Sequence, residues 1–343
     1  MNKILIRSPN WVGDALLATP VVHSLRKYYP QARITVLAKP WVAPVFEASP
    51  DVDQVILYQK PGIHQGIGGI WRLAQELKTS GFDAGVHFPH SIESVWISFL
   101  SRIPVRIGYA AEGRGLLLSD CLRFTPVREK EHQVPFFFHL LEPLGIREDP
   151  SEEKNPLCLN VDQQSLQQAE ARLHALGIGP SDFLVGLAPG AVYGTAKCWP
   201  FDRFEQLAER LKKEWQAEVI FLGTEDDTLA GFFKESIHGH HLLGKTTLGE
   251  ALALIQRCRV IICNDSGLMH AASALNIPLV ALFGSTDHHR TGPWGGISRV
   301  IKKDFVCSPC LKKVCPKTPT CMEAITVDEV WETLVSLKGQ GIL

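Results

Sequence analysis

Residues 260–284, VIICNDSGLMHAASALNIPLVALFG, decide how the rest of the chain is read. VIIC and LVALFG are short continuous apolar runs, the pattern of strands buried on both faces. LMHAASAL between them has helical composition, entered through the polar turn NDSG and left through NIP. Strand, short helix and strand make one βαβ unit, so the two strands are expected to run parallel. The NDSG turn then lies at the carboxyl end of the first strand, where open α/β sheets place their ligands. Asp265 and Ser266 are expected to cap the helix, leaving first-turn N–H groups that suit an anion such as a phosphate.

The same alternation extends through the chain. In the second half, residues 183–190 (FLVGLAPG) and 218–227 (EVIFLGTEDD) read as strands with loops, and 162–177, 201–215 and 248–258 as helices. In the first half, strands are expected over 3–7, 32–39, 52–58 and 82–89, with helices over 15–25 and 70–78. Strands alternating with helices indicate a doubly wound parallel α/β sheet. The stretch 148–156, EDPSEEKNP, is polar, charged and proline-rich, and divides the chain into domains 1–155 and 156–343. Two such Rossmann-like domains facing across a cleft form an arrangement used by many nucleotide-sugar transferases, an analogy of fold only. The first strand lacks a following G-x-G-x-x-G, which disfavours a dinucleotide dehydrogenase.

Composition narrows the class. A length of 343 residues suits two domains, and 45% hydrophobic with 21% charged residues is ordinary for a folded globular chain. Basic and acidic residues balance at 35 and 36, so bulk charge gives no case for nucleic acid. No apolar run reaches the ~18 residues of a membrane span, and MNKILIRSPN has too short an apolar stretch for a signal peptide. A soluble cytoplasmic protein is expected.

Three loops of the second half follow predicted strands and should converge at one sheet edge. GAVYGTAKCWP (190–200) brings glycines, Thr195 and Lys197; GTEDD (223–227) brings Glu225; NDSGLMH (264–270) brings Asp265, Ser266, Gly267 and His270. Together they suit a nucleoside diphosphate: Lys197 and backbone N–H groups meet its charge, and Glu225 accepts from ribose hydroxyls. Singly, each has a plainer role as a helix cap or a solvated charge. In the first half PNWVGDAL (9–16) places Asp14 at the mouth of the first strand, as a general base or as an N-cap carboxylate. Asn10, Trp11 and Gly13 of that stretch are candidates for binding the second substrate. So are Arg106, Lys130 and His132, from the basic series Arg102, Arg106, Arg114, Arg123, Arg128, Lys130 and His132, which reads equally as solvated surface.

Five of nine cysteines are scattered, and most sit in apolar contexts. Cys307, Cys310, Cys315 and Cys321 form C-x2-C-x4-C-x5-C, a spacing open to tetrahedral Zn²⁺, to reduced thiols and to reversible disulfides.

GAVYGTAKCWP, NDSGLMHAASALNIPLVALFGSTD and PNWVGDALLATP resemble the signature stretches of the lipopolysaccharide heptosyltransferases, glycosyltransferase family 9. The likeness runs in order from residue 3 to about 335. The cysteine tail followed by TVDEVWETL resembles in particular the branch that extends the first heptose. The resemblance implies a GT-B fold and inverting transfer of L-glycero-D-manno-heptose from ADP-heptose to the first heptose of the Gram-negative inner core, carried on Kdo2-lipid A. It implies Asp14 as catalytic base, Lys197 at the donor diphosphate, residues 265–270 as the donor turn and Glu225 near the ribose. It implies no cofactor or catalytic metal, and peripheral contact with the inner membrane through the lipid acceptor. Other members of the family, which add the first or later heptoses, a GT-B nucleotide-sugar epimerase and a metal-bound interaction module are the competing readings.

Overall fold

Every strand pairing in the computed structural model is parallel, as strands separated by helices require. The structure describes residues 1–148, 151, 156–224, 238–318 and 320–343. Contacts divide the chain into two units, Met1–Asn160 and Val161–Leu343.

The first unit opens with β1 (Lys3–Arg7), α1 (Val12–Leu17), α2 (Thr19–Tyr28), β2 (Arg33–Ala38), α3 (Pro44–Glu47) and β3 (Gln54–Leu57). It continues with α4 (Gly66–Ser80), β4 (Ala84–His87), α5 (Ile92–Leu100), β5 (Val105–Tyr109), β6 (Asp120–Leu122) and α6 (Gln133–Phe138). Its sheet order is β3-β2-β1-β4-β5-β6. The single helix expected over 15–25 is two: Pro20, which cannot donate a backbone hydrogen bond, stands at the start of α2, and the chain breaks at Ala18. Leu5, Leu37, Ile70, Leu73, Leu77 and Ile97 share one core cluster under α4 and α5.

The second unit contains α7 (Gln163–Ala175), β7 (Leu184–Ala188), α8 (Phe201–Trp215), β8 (Glu218–Phe221), β9 (His240–His241) and α9 (Leu248–Arg257). There follow β10 (Val260–Asn264), α10 (Gly267–Ala274), β11 (Leu279–Phe283), α11 (His288–Thr291), β12 (Ser298–Lys302) and α12 (Val327–Gly339). Its order, β12-β11-β10-β7-β8-β9, repeats that of the first unit read from the other end. All of β10 and β11 is buried, which is why both read as unbroken apolar runs. Val185, Leu187, Ile262 and Val280 of the sheet pack with Phe204, Leu207 and Leu211 of α8 and with Trp331 and Leu334 of α12.

In each unit the chain leaves the central pair of strands, β1/β4 or β7/β10, in opposite directions along the sheet. Their carboxyl ends open a crevice there, the place where such sheets bind ligands.

Candidate active site

In the second unit the crevice at β7/β10 joins the first and third predicted loops. Lys197, on the single turn Thr195–Lys197 after β7, puts its Nζ 2.6 Å from Oδ2 of Asp265, just after β10. Thr286 Oγ1 donates to the same oxygen at 2.5 Å. Asn264 ties the loops below them: its Nδ2 donates to the Pro189 carbonyl at 2.5 Å, and its Oδ1 accepts from the Trp199 N–H at 3.1 Å. Asp265 is 5% exposed, so its charge needs this pairing. The Lys197 ammonium also lies 5.0 Å from the centroid of the Tyr193 ring.

Capping is not what these residues do. Asp265 spends its carboxylate on Lys197 and Thr286, and Ser266 is the N-cap of α10 without a side-chain cap bond. The Ser266 hydroxyl oxygen is buried with no partner, beside the first-turn N–H groups of α10. These groups form a cluster of donors suited to a phosphate. Gly267 opens α10, His270 is buried within it, and Thr195 is exposed at the loop surface. Glu225 lies outside the described residues.

In the first unit Asn10, Trp11, Gly13 and Asp14 follow β1 into its crevice. Trp11, 61% exposed, is the N-cap of α1 and makes no side-chain cap bond; half-buried Asp14 is in the first turn rather than at the cap. Beside them is a cationic group that the sequence reading did not single out. Arg7 Nη2 donates to Asn10 Oδ1 at 2.7 Å, and Trp41 Nε1 donates to the Asn10 carbonyl at 2.9 Å. Lys39 donates to the Lys60 carbonyl, with its ammonium 4.4 Å from the Tyr58 ring centroid. Lys60 is paired with Glu93, which also accepts from Tyr58 at 2.5 Å. Burial, then the neighbouring Arg7 charge, pushes Lys39 down to about 8. Burial pushes Glu93 upward, but the hydrogen bonds from Lys60 and Tyr58 outweigh it and hold the carboxylate below its ordinary range. Burial lowers Arg7 to about 10, so it stays charged. The group offers fixed positive charge edged by exposed Trp11 and Trp41.

A sequence model of glycosyltransferase family 9 (heptosyltransferase) matches residues 70–320. The chain belongs to this family. It is similar to lipooligosaccharide heptosyltransferase 2 of Haemophilus influenzae, 31% identical over 317 residues, with 88% of each chain covered. It is equally similar to lipopolysaccharide heptosyltransferase 2 of Escherichia coli K12, 31% identical over 309 residues and 88% of each chain. The solved structure of the E. coli ADP-heptose LPS heptosyltransferase II covers 100% of both chains, with a TM-score of 0.80 at 28% identity. The α/β fold, two parallel six-stranded sheets with helices, matches the GT-B-type architecture of these heptosyltransferases.

The family 9 fold separates Arg106 from the rest of the expected acceptor set. Arg106 lies near the amino end of β5, and its guanidinium donates to the carbonyls of Leu117 at 2.6 Å, Ile103, and Pro104 at 3.1 Å. That is the edge of the sheet opposite the crevice, so the structure corrects this assignment. His132 is the N-cap of α6, its Nδ1 accepting from the Val134 N–H at 3.2 Å, and Lys130 is exposed on the preceding turn. An Asp-x-Asp triplet, Asp51-Val52-Asp53, also lies at the amino edge with its carboxylates engaged. Asp51 is 3.0 Å from His23, and Asp53 accepts from Arg26 at 2.6 Å and from the Ile34 N–H at 2.7 Å.

Proposed function

We propose that this family 9 transferase moves L-glycero-D-manno-heptose from ADP-heptose to the first heptose of a lipopolysaccharide inner core. The observation that carries the donor half is Lys197, held by Asp265 next to the N-terminus of α10 at the switch point of the sheet. A nucleoside diphosphate needs fixed positive charge and convergent N–H donors, and this corner has both. In the proposal the second unit binds ADP-heptose through Lys197, Thr195, Asp265, Ser266, Gly267, His270 and Glu225. The first unit binds the acceptor through Asn10, Trp11 and Gly13, with Arg7, Lys39 and Lys60 meeting the anionic sugars and phosphates of the core and Lys130 and His132 further out.

Asp14 takes the proton of the acceptor hydroxyl as that oxygen attacks the anomeric carbon. The C–O bond to the diphosphate breaks on the opposite face, which inverts the configuration, and ADP leaves with the bonding pair. Lys197 and the N–H groups of α10 stabilise the charge that grows on the leaving oxygen. The reaction requires no cofactor. Because the acceptor is lipid-borne, the enzyme works as a cytoplasmic protein touching the inner membrane peripherally. No helix among the described residues is long and apolar enough to cross a membrane.

The test is turnover of ADP-heptose with a heptose-terminated core acceptor, against Kdo2-lipid A alone, without added divalent ion and with EDTA. Transfer only to the heptose-terminated acceptor is expected. Transfer to Kdo2-lipid A would reassign the step, and donor turnover with neither acceptor would point to epimerase chemistry.

A further inference from the structure

Between β12 and α12 the chain runs through an irregular segment that carries four of the nine cysteines, and all nine are free thiols. Cys198, Cys258 and Cys263 are buried as small core residues, whereas Cys307, Cys310, Cys315 and Cys321 are only partly buried, Cys321 packing against the edge of the second unit's core. All four line a single cavity of about 20 Å³, together with Ala196 and Ser285. That volume admits about one water-sized particle. The Ser285 hydroxyl in its wall is buried without a partner. No three of these sulfurs stand within 4.8 Å of one another. Tetrahedral ligation at a Zn–S bond of about 2.3 Å brings sulfurs to about 3.8 Å. Cysteine side chains on irregular backbone can rotate to reach that spacing.

We propose that Cys307, Cys310, Cys315 and Cys321 ligate one Zn²⁺, a structural clip that holds the Lys197 loop in place. Four thiols bind the ion as thiolates and release four protons, leaving a site of charge −2 with Lys312, Lys313 and Lys317 on the same segment to offset it. The backbone between the second and third ligands is stitched to the donor loops. The Lys313 carbonyl accepts from the Ala196 N–H at 3.0 Å, and the Leu311 carbonyl accepts from the Tyr193 hydroxyl at 2.7 Å. The Leu311 N–H donates to the Ser285 carbonyl at 2.8 Å, and Ser308 Oγ donates to the Gly284 carbonyl at 2.8 Å. Before Met322 joins the core, no side chain from residue 303 to 318 is buried, so a metal cross-link is what would make these contacts rigid.

The metal site stands apart from the heptosyl reading, and only its effect on the donor rests on it. The experiment is metal analysis of the full chain purified under reducing conditions without added zinc. About one zinc per chain is expected, released as about four thiols are titrated with a mercurial. Stripped protein given Co²⁺ alone should show thiolate charge-transfer and tetrahedral d–d absorption. Cys310→Ser and Cys321→Ser should lose the metal, melt at lower temperature and bind ADP about 10-fold more weakly, while Cys121→Ser keeps all three properties. If the variants do not fold, uptake of Zn²⁺ by the stripped wild-type chain decides the question. Failure of the reduced chain to take up zinc overturns the proposal, as does a mass showing disulfides among these four cysteines. Iron in the zinc's place overturns the choice of ion. Zinc at full occupancy with unchanged ADP binding in the serine variants overturns the link to the Lys197 loop.

Discussion

Lys197 and Asp265, 68 residues apart in sequence, form an ion pair of 2.6 Å in which each side chain is largely out of water. A lysine so held is not free to swing, and its ammonium is presented beside the start of α10 rather than distributed over solvent. Lys197→Ala is expected to weaken ADP binding at least about 10-fold and to slow turnover, by isothermal titration and steady-state assay. Asp265→Asn keeps the shape but loosens the lysine, and a similar loss of ADP affinity is expected. Tighter ADP binding in that variant would mean that the carboxylate only neutralises Lys197.

Asp14 lies in the first turn of α1, not at its cap. As the proposed base, it should show its loss first in the chemistry. Asp14→Ala is expected to lower kcat by about 10²- to 10⁴-fold with ADP affinity and melting temperature near wild type. Near-normal kcat would leave Asp14 with a structural role alone.

Lys39 titrates where most lysines do not. With its value pushed down to about 8, its charge is present below that pH and fades as pH rises through it. Acceptor KM should therefore rise between about pH 8 and 9.5, while donor KM stays flat. Lys39→Arg should flatten the acceptor profile. For stability the sign is opposite: the unfolded chain binds this proton more tightly, so this lysine's destabilising contribution fades as pH rises from about 8 towards 10.5.

Gly194 adopts φ of +154°, and a Cβ there would stand 2.3 Å from the Lys313 carbonyl oxygen. Gly194→Ala is expected to push the cysteine-bearing segment off the Lys197 loop, lowering the melting temperature and raising the Kd for ADP. An alanine variant with unchanged ADP affinity would show that the two loops can separate without harm to the site.

How far the sequence exposes this site depends on what each residue reports. The β10–α10–β11 unit is plain because fully buried parallel strands leave continuous apolar runs. Lys197 and Asp265 stand out singly, but their bond requires β7 and β10 to be neighbours, and strand order is not a local property. Arg7, Lys39 and Lys60 escaped notice as ordinary charges at strand ends. Their signal is faint but present: each is a basic residue at or just past the end of β1, β2 or β3, with a proline one or two places later. Arg106 shows the reverse error, because counting basic residues cannot say at which end of a strand each one points.

The match to the family 9 sequence model ends at residue 320, but the packing of the second unit does not. The Ile325 carbonyl accepts from the fully buried Trp199 indole N–H at 2.9 Å, and Arg203 donates to the same oxygen. Beyond it the Thr326–Glu329 capping box starts α12, whose Trp331 ring lies tilted against that of Trp215 of α8, centroids 5.0 Å apart. A chain trimmed at residue 320 would thus lose a wall of the donor unit and leave an indole donor stranded in its core. For expression or crystallisation the chain is best kept through Leu343, since Ile342 and Leu343 also pack against this core.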